Sequence, residues 1–312
     1  MAVGARCAPA PGSPPAAGST GSSCATESPR QQLAHRTSPT NIGFLLLSTV
    51  AARDLGYVGV PGLALRLRST IDAIETMEHS RGHLLNWYDT RTLAPLPPRY
   101  ISTVDSGNLA ACLITVARAC LAQQDSRSFD WARWEGLLDT ISLLDQSLQA
   151  AVFEADRVPL HAMLAAIEAK ILAARADPNA WADLLVHVSE RDLPVLDGLL
   201  MKLIETAAPA PSPEALDIMR LGIEGVHRHL RSMRRELAQM MPWVGLLRQP
   251  PASFAEPIAD PELAATWSAL LEMLPITATV RDLAEVCDDA GPRLTDLRRL
   301  VRRLRREQAA RA

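Results

Sequence analysis

Apolar residues recur at helical spacing over most of this chain. Leu63, Leu67, Ile71, Ile74 and Met77 fall three or four apart, with Arg66, Arg68, Asp72, Glu75 and Glu78 between them. That pattern predicts a helix from Pro61 to about Ser80. Trp134, Leu137, Leu138, Ile141, Leu144 and Leu148 mark one face of another, from Trp131 to Val152. Two further runs, 42–55 and 108–124, are apolar on nearly every face, which predicts burial all round. Ser38 before Pro39 is the expected start of the first run and Gly56 its stop. Asp105 or Ser106 is the expected cap of the second.

More helices are expected from Pro159 onward, over Ala180–His187, Leu193–Thr206, Glu214–Met241, Glu262–Leu274 and Val280–Cys287, and over 294–312. AAPAPSP (207–213) and LLRQPPASFAEP (246–257) break the pattern. Ile101–Val104 is a short β-prone run in a chain otherwise almost without strand signals. The fold class read from this is all-α, with no repeat of fixed period.

Composition divides the chain. Residues 1–34 are rich in Pro, Ala, Gly and Ser and lack the large apolar residues that would offset the entropy of ordering. A disordered tail is expected there, followed by 35–125, which carries the unusual motifs, and an amphipathic helical remainder, 126–312. A net charge of -3 provides no overall basic field, so no nucleic-acid partner is expected. The exception, LTDLRRLVRRLRREQAARA (294–312), reads as a solvated basic helix end. No run approaches the ~20 uninterrupted apolar residues of a membrane span, and the N-terminus has no apolar run of a secretory signal.

The five cysteines are scattered, without CxxC or Cys/His spacing, so neither a disulfide framework nor a zinc site is expected. Cys112 and Cys120 read as buried thiols and the setting as reducing and cytoplasmic. His227 and His229 are two apart on a helix and do not face one ligand. Neither metal nor cofactor is expected.

One stretch departs from this scaffold: GHLLNWYDTRTLAPLPPRYISTVDSGN, from Gly82 to Asn108. Aromatics are only 4% of the chain, yet Trp87, Tyr88 and Tyr100 all fall here. Pro95, Pro97 and Pro98 forbid helix and favour an extended or turned path. Flat aromatic faces stack on sugar rings. Asn86, Asp89, Asp105 and Asn108 are suited to share hydroxyl protons. Arg91 and Arg99 supply donor forks that orient carboxylates, and His83 adds an imidazole that can bind a polar ligand. The candidate substrate-binding set is His83, Asn86, Trp87, Tyr88, Asp89, Arg91, Tyr100, Asp105, Ser106 and Asn108, facing a polyol or carbohydrate. The same residues admit a structural reading. Trp87 then belongs to the core, Asp89 and Arg91 form a surface pair, and Asp105 is a helix cap.

The blocks RTSPTNIGFLLLSTVAARDLGYVG (36–59) and RGHLLNWYDTRTLAPLPPRYISTVDSGNLA (81–110) resemble the glycoamylase-like (α/α)-toroid region of bacterial cyclic β-1,2-glucan synthases. A weaker likeness, including MPWVGLLRQPP (241–251), runs to about residue 310. The resemblance implies a partial (α/α) toroid, or helical-hairpin array, with a β-1,2-glucan oligosaccharide or polysaccharide as ligand. In that family the toroid handles linear chains and closes them into rings by transglycosylation, which needs two carboxylates flanking the bond. The family continues into a Phe/Tyr/Asp/Gly-rich block and a Glu-bearing half that this sequence does not contain. It also carries Phe where Leu84 stands and Gly-His at Ala111-Cys112. The expectation is therefore a fragment that binds or processes β-1,2-glucan, with no catalytic pair assigned. Its partner would be the missing half of the synthase, through which it would associate with the inner membrane. The alternative is a non-catalytic glucan-binding or helical scaffold protein.

Overall fold

The computed structural model describes residues 34–151, 154–206, 211–248, 254, 258, 260–275 and 277–311. Apart from residue 34, the tail expected to be disordered lies outside them. The chain is all-α. The first group of helices is α1 (Pro39–Asp54), α2 (Val60–Thr76) and α3 (Thr103–Gln123). The second is α4 (Ala132–Ala151), α5 (Glu154–Ala173), α6 (Trp181–His187), α7 (Leu193–Thr206) and α8 (Pro213–Met240). The third is α9 (Trp243–Arg248), α10 (Pro261–Met273) and α11 (Val280–Arg311).

In the first group α1 and α3 lie side by side and point the same way. Asn108 near the start of α3 reaches Thr40 near the start of α1. One turn on, a Cβ at Gly43 would sit 2.8 Å from Cys112 Sγ, so glycine is what lets the two helices come this close. Helix α2 runs the other way. Its Leu63 and Leu67 pack with Leu46 and Val116, while Ile74 at its far end meets Ile42 and Leu109. The N-termini of α1 and α3 and the C-terminus of α2 therefore share one end, and the segment 77–102 covers it.

The second group holds the main core. Trp134, Leu137, Ile141, Leu144 and Leu148 of α4 interleave with Leu160, Leu164, Ile167 and Ile171 of α5 and Met219, Val226, Leu230 and Met233 of α8. A π-helical turn, Val188–Asp192, joins α6 to α7. Leu263 and Leu270 of α10 pack against Ala290, Leu297 and Leu300 of α11 in a separate small core.

Buried charge fastens the first group to the second. Arg133 on α4 is closed off from solvent. Its Nε donates to Glu236 Oε2 of α8 at 2.7 Å, one terminal nitrogen donates to Ser232 Oγ at 3.0 Å, and the other to the carbonyl of Gly56. Glu236 Oε1 in turn accepts from the amide of Val60 at 2.8 Å. Gly59, the residue preceding α2, has no side chain to cap that helix, so α8 supplies the cap from a distance. Beside this pair, Arg53 donates to Asp130 Oδ2 at 2.9 Å. Burial pushes the Glu236 carboxyl up, opposed by Arg133 and the Val60 amide.

Several boundaries differ from those expected. Helix α2 stops at Thr76, because Met77 turns extended (ψ 149) and leads into strand pairing. Helix α3 begins at Thr103, capped by Ser102 rather than Asp105 or Ser106. Thr103 and Val104 of the β-prone run thus form its first turn; among the described residues no strand pairs with them. Pro159 sits inside α5, not at its start. The helices expected at Val280–Cys287 and 294–312 are one, α11, with Pro292 inside. An interior proline costs about 3 kcal/mol, but the stripe Leu283, Ala290, Leu297 and Leu300 is buried on both sides of it and offsets that cost.

The all-round burial expected of α1 and α3 is not met. Phe44 and Ile114 are 58% and 66% exposed, and Leu45 and Leu121 are also outside. Cys120 is exposed, whereas Cys112 is buried. Helix α3, 21 residues long, is apolar and long enough to cross a membrane by length and composition alone, although Asp105 and Arg118 interrupt its apolar run.

Candidate functional site

The covering segment is built from two short strand pairings. β1 (Arg36–Thr37), β2 (His79–Ser80), β3 (His83–Leu84) and β4 (Tyr88–Asp89) follow chain order. β2 pairs antiparallel with β3 round Arg81-Gly82, both at positive φ (53° and 81°). This is the geometry of a type I′ turn, for which glycine suits the second position. β4 returns to pair with β1 just before α1, Arg36 opposite Asp89 and Thr37 opposite Tyr88. Further backbone bonds, Asn86 N to Tyr100 O (2.9 Å) and Leu96 N to Trp87 O (2.8 Å), fold the proline-rich part back on the motif.

Tyr88 is the internal post of this segment. Its ring has no exposed surface. Its hydroxyl accepts from Leu85 N at 2.7 Å and donates to Glu78 O at 2.6 Å, and burial raises its pKa. Both hydrogen-bonding roles of the hydroxyl are occupied, so Tyr88 presents neither face nor hydroxyl to a ligand in this conformation.

Asn86 is the hub, and it too is buried. With its amide oriented to satisfy both ends, the oxygen accepts from Trp87 Nε1 (2.6 Å) and Tyr100 OH (2.7 Å), and the nitrogen donates to Asp105 Oδ2 (3.0 Å). Four of the expected residues are thereby joined through one amide. Trp87 is half-buried, with the Arg36 guanidinium 4.9 Å from its ring centre. Tyr100 is 47% exposed while its hydroxyl is held by Asn86.

Asp105 sits where the first turns of α1 and α3 meet. Its amide is bonded by the Ser102 hydroxyl at 3.2 Å. The Ser102 and Thr40 hydroxyls, the Thr40 amide and the Ser38 hydroxyl surround its carboxylate and hold its pKa below the usual range. The positive ends of two helix dipoles act in the same direction. Asn108, one turn on, donates to Thr40 Oγ1 at 3.1 Å and is exposed. Ser106 Oγ is enclosed and without a hydrogen-bond partner among the described residues.

Asp89 and Arg91 form a separate corner. Asp89 accepts from the Arg91 amide (2.8 Å), the Thr92 amide (3.1 Å) and the Arg91 guanidinium (3.2 Å). These bonds, the Arg91 amide foremost, lower its pKa to about 2. Arg99 pairs with Glu78 instead of a motif carboxylate. His83 is exposed beside the hairpin turn and makes no side-chain hydrogen bond among the described residues. The structure thus gathers Asn86, Trp87, Tyr100 and Asp105 with Asn108 nearby, places Tyr88 beneath them, and leaves His83 and the Asp89–Arg91 corner apart.

Sequence reasoning missed Arg36, Ser38 and Thr40. The signal is in RTSPT (36–40), which reads as a helix start and as part of the family-like block, and of which two hydroxyls turn to Asp105 while the arginine covers Trp87. On the second group's helices, His227 Nε2 lies 2.9 Å from Asp197 Oδ1 and His229 Nε2 lies 2.9 Å from the Arg133 carbonyl, so the two histidines do face different neighbours.

No family model matches the chain. Over 128 residues it is 47% identical to the cyclic β-(1,2)-glucan synthase NdvB of Rhizobium meliloti (strain 1021). The match covers 41% of this chain and 4% of that much longer protein. Over that part of its length, the chain is related to a cyclic β-(1,2)-glucan synthase.

Proposed function

We propose that the chain is a fragment of a cyclic β-1,2-glucan synthase-like protein that holds β-1,2-glucan on the surface formed by Trp87, Tyr100 and Asn108, above Asn86 and Asp105. The 47% identity to NdvB over 128 residues carries the ligand class. The geometry supports the rest. Tyr100 offers an exposed aromatic face fixed by its hydroxyl, and Asn108 offers an exposed amide beside a carboxylate held ionised. In this reading Tyr88 positions the loop, and the helices belong to a partial toroid whose remainder is the chain's partner.

Binding without turnover is the form of this proposal that the carboxylates favour. A glycoside-cleaving acid needs a raised pKa. Asp89 and Asp105 are both lowered, which suits acceptance of sugar hydroxyls rather than proton donation. Glu236 is raised but lies in the buried join between helix groups.

Calorimetric titration of the full chain with linear β-1,2-glucan tests the reading. Saturable heat is expected, weakened about tenfold (~1.4 kcal/mol) by Asn108→Ala, with neither rings nor shortened chains in the recovered glucan. No heat at millimolar glucan defeats the binding proposal. Ring closure or shortening by the purified chain defeats the non-catalytic form of it.

A further inference from the structure

Helix α11 is divided by charge. Its first half bears Asp282, Glu285, Asp288 and Asp289 against Arg281 and Arg293, whereas its second half bears seven arginines, Arg298, Arg299, Arg302, Arg303, Arg305, Arg306 and Arg311, against Asp296 and Glu307. The helix buries Leu283, Ala290, Leu297 and Leu300, the last three against α10, so the opposite face is solvent-exposed. At 100° per residue that outer face carries Glu285 and Asp288 at one end, beside an Arg281 that is paired with Asp125, then Gly291, Pro292 and Thr295 in the middle, and Arg299, Arg302 and Arg306 at the other. All are exposed, and a Cβ at Gly291 would meet nothing within 4 Å. Asp288, Asp289, Arg298, Arg302, Arg305 and Arg306 make no ion pair or side-chain hydrogen bond among the described residues. Arginines 303 and 299, by contrast, do find Glu262 and Asp296.

We infer that this face is a docking surface for the same face of a second copy of the chain, laid antiparallel with its twofold axis near Thr295. About that axis Arg302 stands opposite Asp288 of the other copy, and Arg306 opposite its Glu285. Thr295, Gly291 and Pro292 bring no bulky side chain to the crossing and permit a close approach. A twofold contact requires a surface complementary to itself, and a helix acidic at one end and basic at the other has that property when reversed. The occupant is chosen by the acidic half. An anionic membrane or nucleic acid would pair with the arginines but be repelled by Asp288, Asp289 and Glu285. A second copy satisfies both halves at once. The apolar stripe is already spent on α10, so α11 cannot insert it into a lipid surface as a free amphipathic helix would.

Sedimentation velocity of the full chain at low and high salt tests this. The expected result is a dimer at low salt that dissociates as ionic strength rises. Arg302→Glu alone and Asp288→Arg alone should each raise the dimer dissociation constant about tenfold or more, since each places like charges opposite one another. The double reversal, R302E with D288R, should restore the dimer, which a general loss of charge or of folding would not do. Both positions are exposed, and circular dichroism of each variant confirms that helix is retained. A monomer throughout, or a dimer indifferent to both single reversals, overturns the inference. So does binding to phosphatidylglycerol vesicles or duplex DNA that R302E abolishes and D288R does not rescue.

Discussion

Replacing Glu236 with alanine removes the carboxylate on which two helix groups converge. In the native chain Glu236 is 2% exposed and Arg133 0%. Without Glu236 the guanidinium keeps only Gly56 O and Ser232 Oγ, and the Val60 amide at the start of α2 loses its acceptor. Removing one member of a buried ion pair costs about 3–5 kcal/mol, because the other charge stays desolvated. The orphaned amide adds about 1 kcal/mol, not strictly additively. Against the ~5–15 kcal/mol that holds a typical domain, this is a large fraction.

Urea unfolding followed by far-ultraviolet circular dichroism measures the loss. With a slope of about 2 kcal/mol per molar urea, the midpoint should fall by roughly 2 M. Glu236→Gln, which keeps an acceptor for Val60 but discards the charge, should fall between alanine and wild type. Arg133→Met combined with Glu236→Leu should recover much of the deficit, since an apolar pair owes no desolvation cost. A Glu236→Ala midpoint within about 0.5 M of wild type at unchanged slope would refute the claim that this pair joins the groups.

The pH dependence of stability should carry a histidine signature. The His229 pKa is brought down from the ordinary 6.5 to about 4 by burial, then by the Arg133 charge, and its ring also meets the edge of the Tyr57 ring. The unfolded chain takes up this proton first, so the contribution is complete above pH 6.5 and is lost as pH falls toward 4, about 3 kcal/mol in all; urea midpoints of His229→Gln should show a correspondingly shallower loss over that window. At the hairpin, Arg81→Asn should raise stability by about 0.5–1 kcal/mol, because asparagine tolerates positive φ better than arginine in a type I′ turn; a lower melting temperature would count against that turn.

The helices were legible where one face was apolar and the other polar. Leu63 through Ile74 and Trp134 through Leu148 lie where periodicity placed them. The errors have local causes. Thr103 and Val104 look like strand because they are β-branched, but a strand needs a partner, and Ser102 instead turns the chain into α3. The helices expected at Val280–Cys287 and 294–312 join because burial on both sides of Pro292 outweighs the one hydrogen bond that a proline removes. The buried pair Arg133–Glu236 had no local signal: its members are 103 residues apart and each reads, by itself, as a surface charge on an amphipathic helix.

The candidate site was legible as a concentration of residue types, not as a division of labour. Sequence placed Trp87, Tyr88 and Tyr100 in one class because all are aromatic. The fold separates them by the alternation of an extended chain, which turns successive side chains to opposite faces. Tyr88 points into the group containing Ile42, Leu84 and Leu109, and its neighbour Trp87 turns outward beneath Arg36. The functional and structural readings were therefore not rivals for the whole stretch. Tyr88 is an inward post, and the Asp105 carboxylate takes the Thr40 amide near the start of α1 while holding Asn86. Trp87, Tyr100 and Asn108 form the outer edge, Trp87 half-buried and the other two exposed. A single inward tyrosine fixes that edge, since its hydroxyl ties Leu85 to Glu78 directly under the motif. Sequence can name the residues of such a site, but their assignment to the two sides depends on register, and register here is set by the distant pairing of β4 with β1.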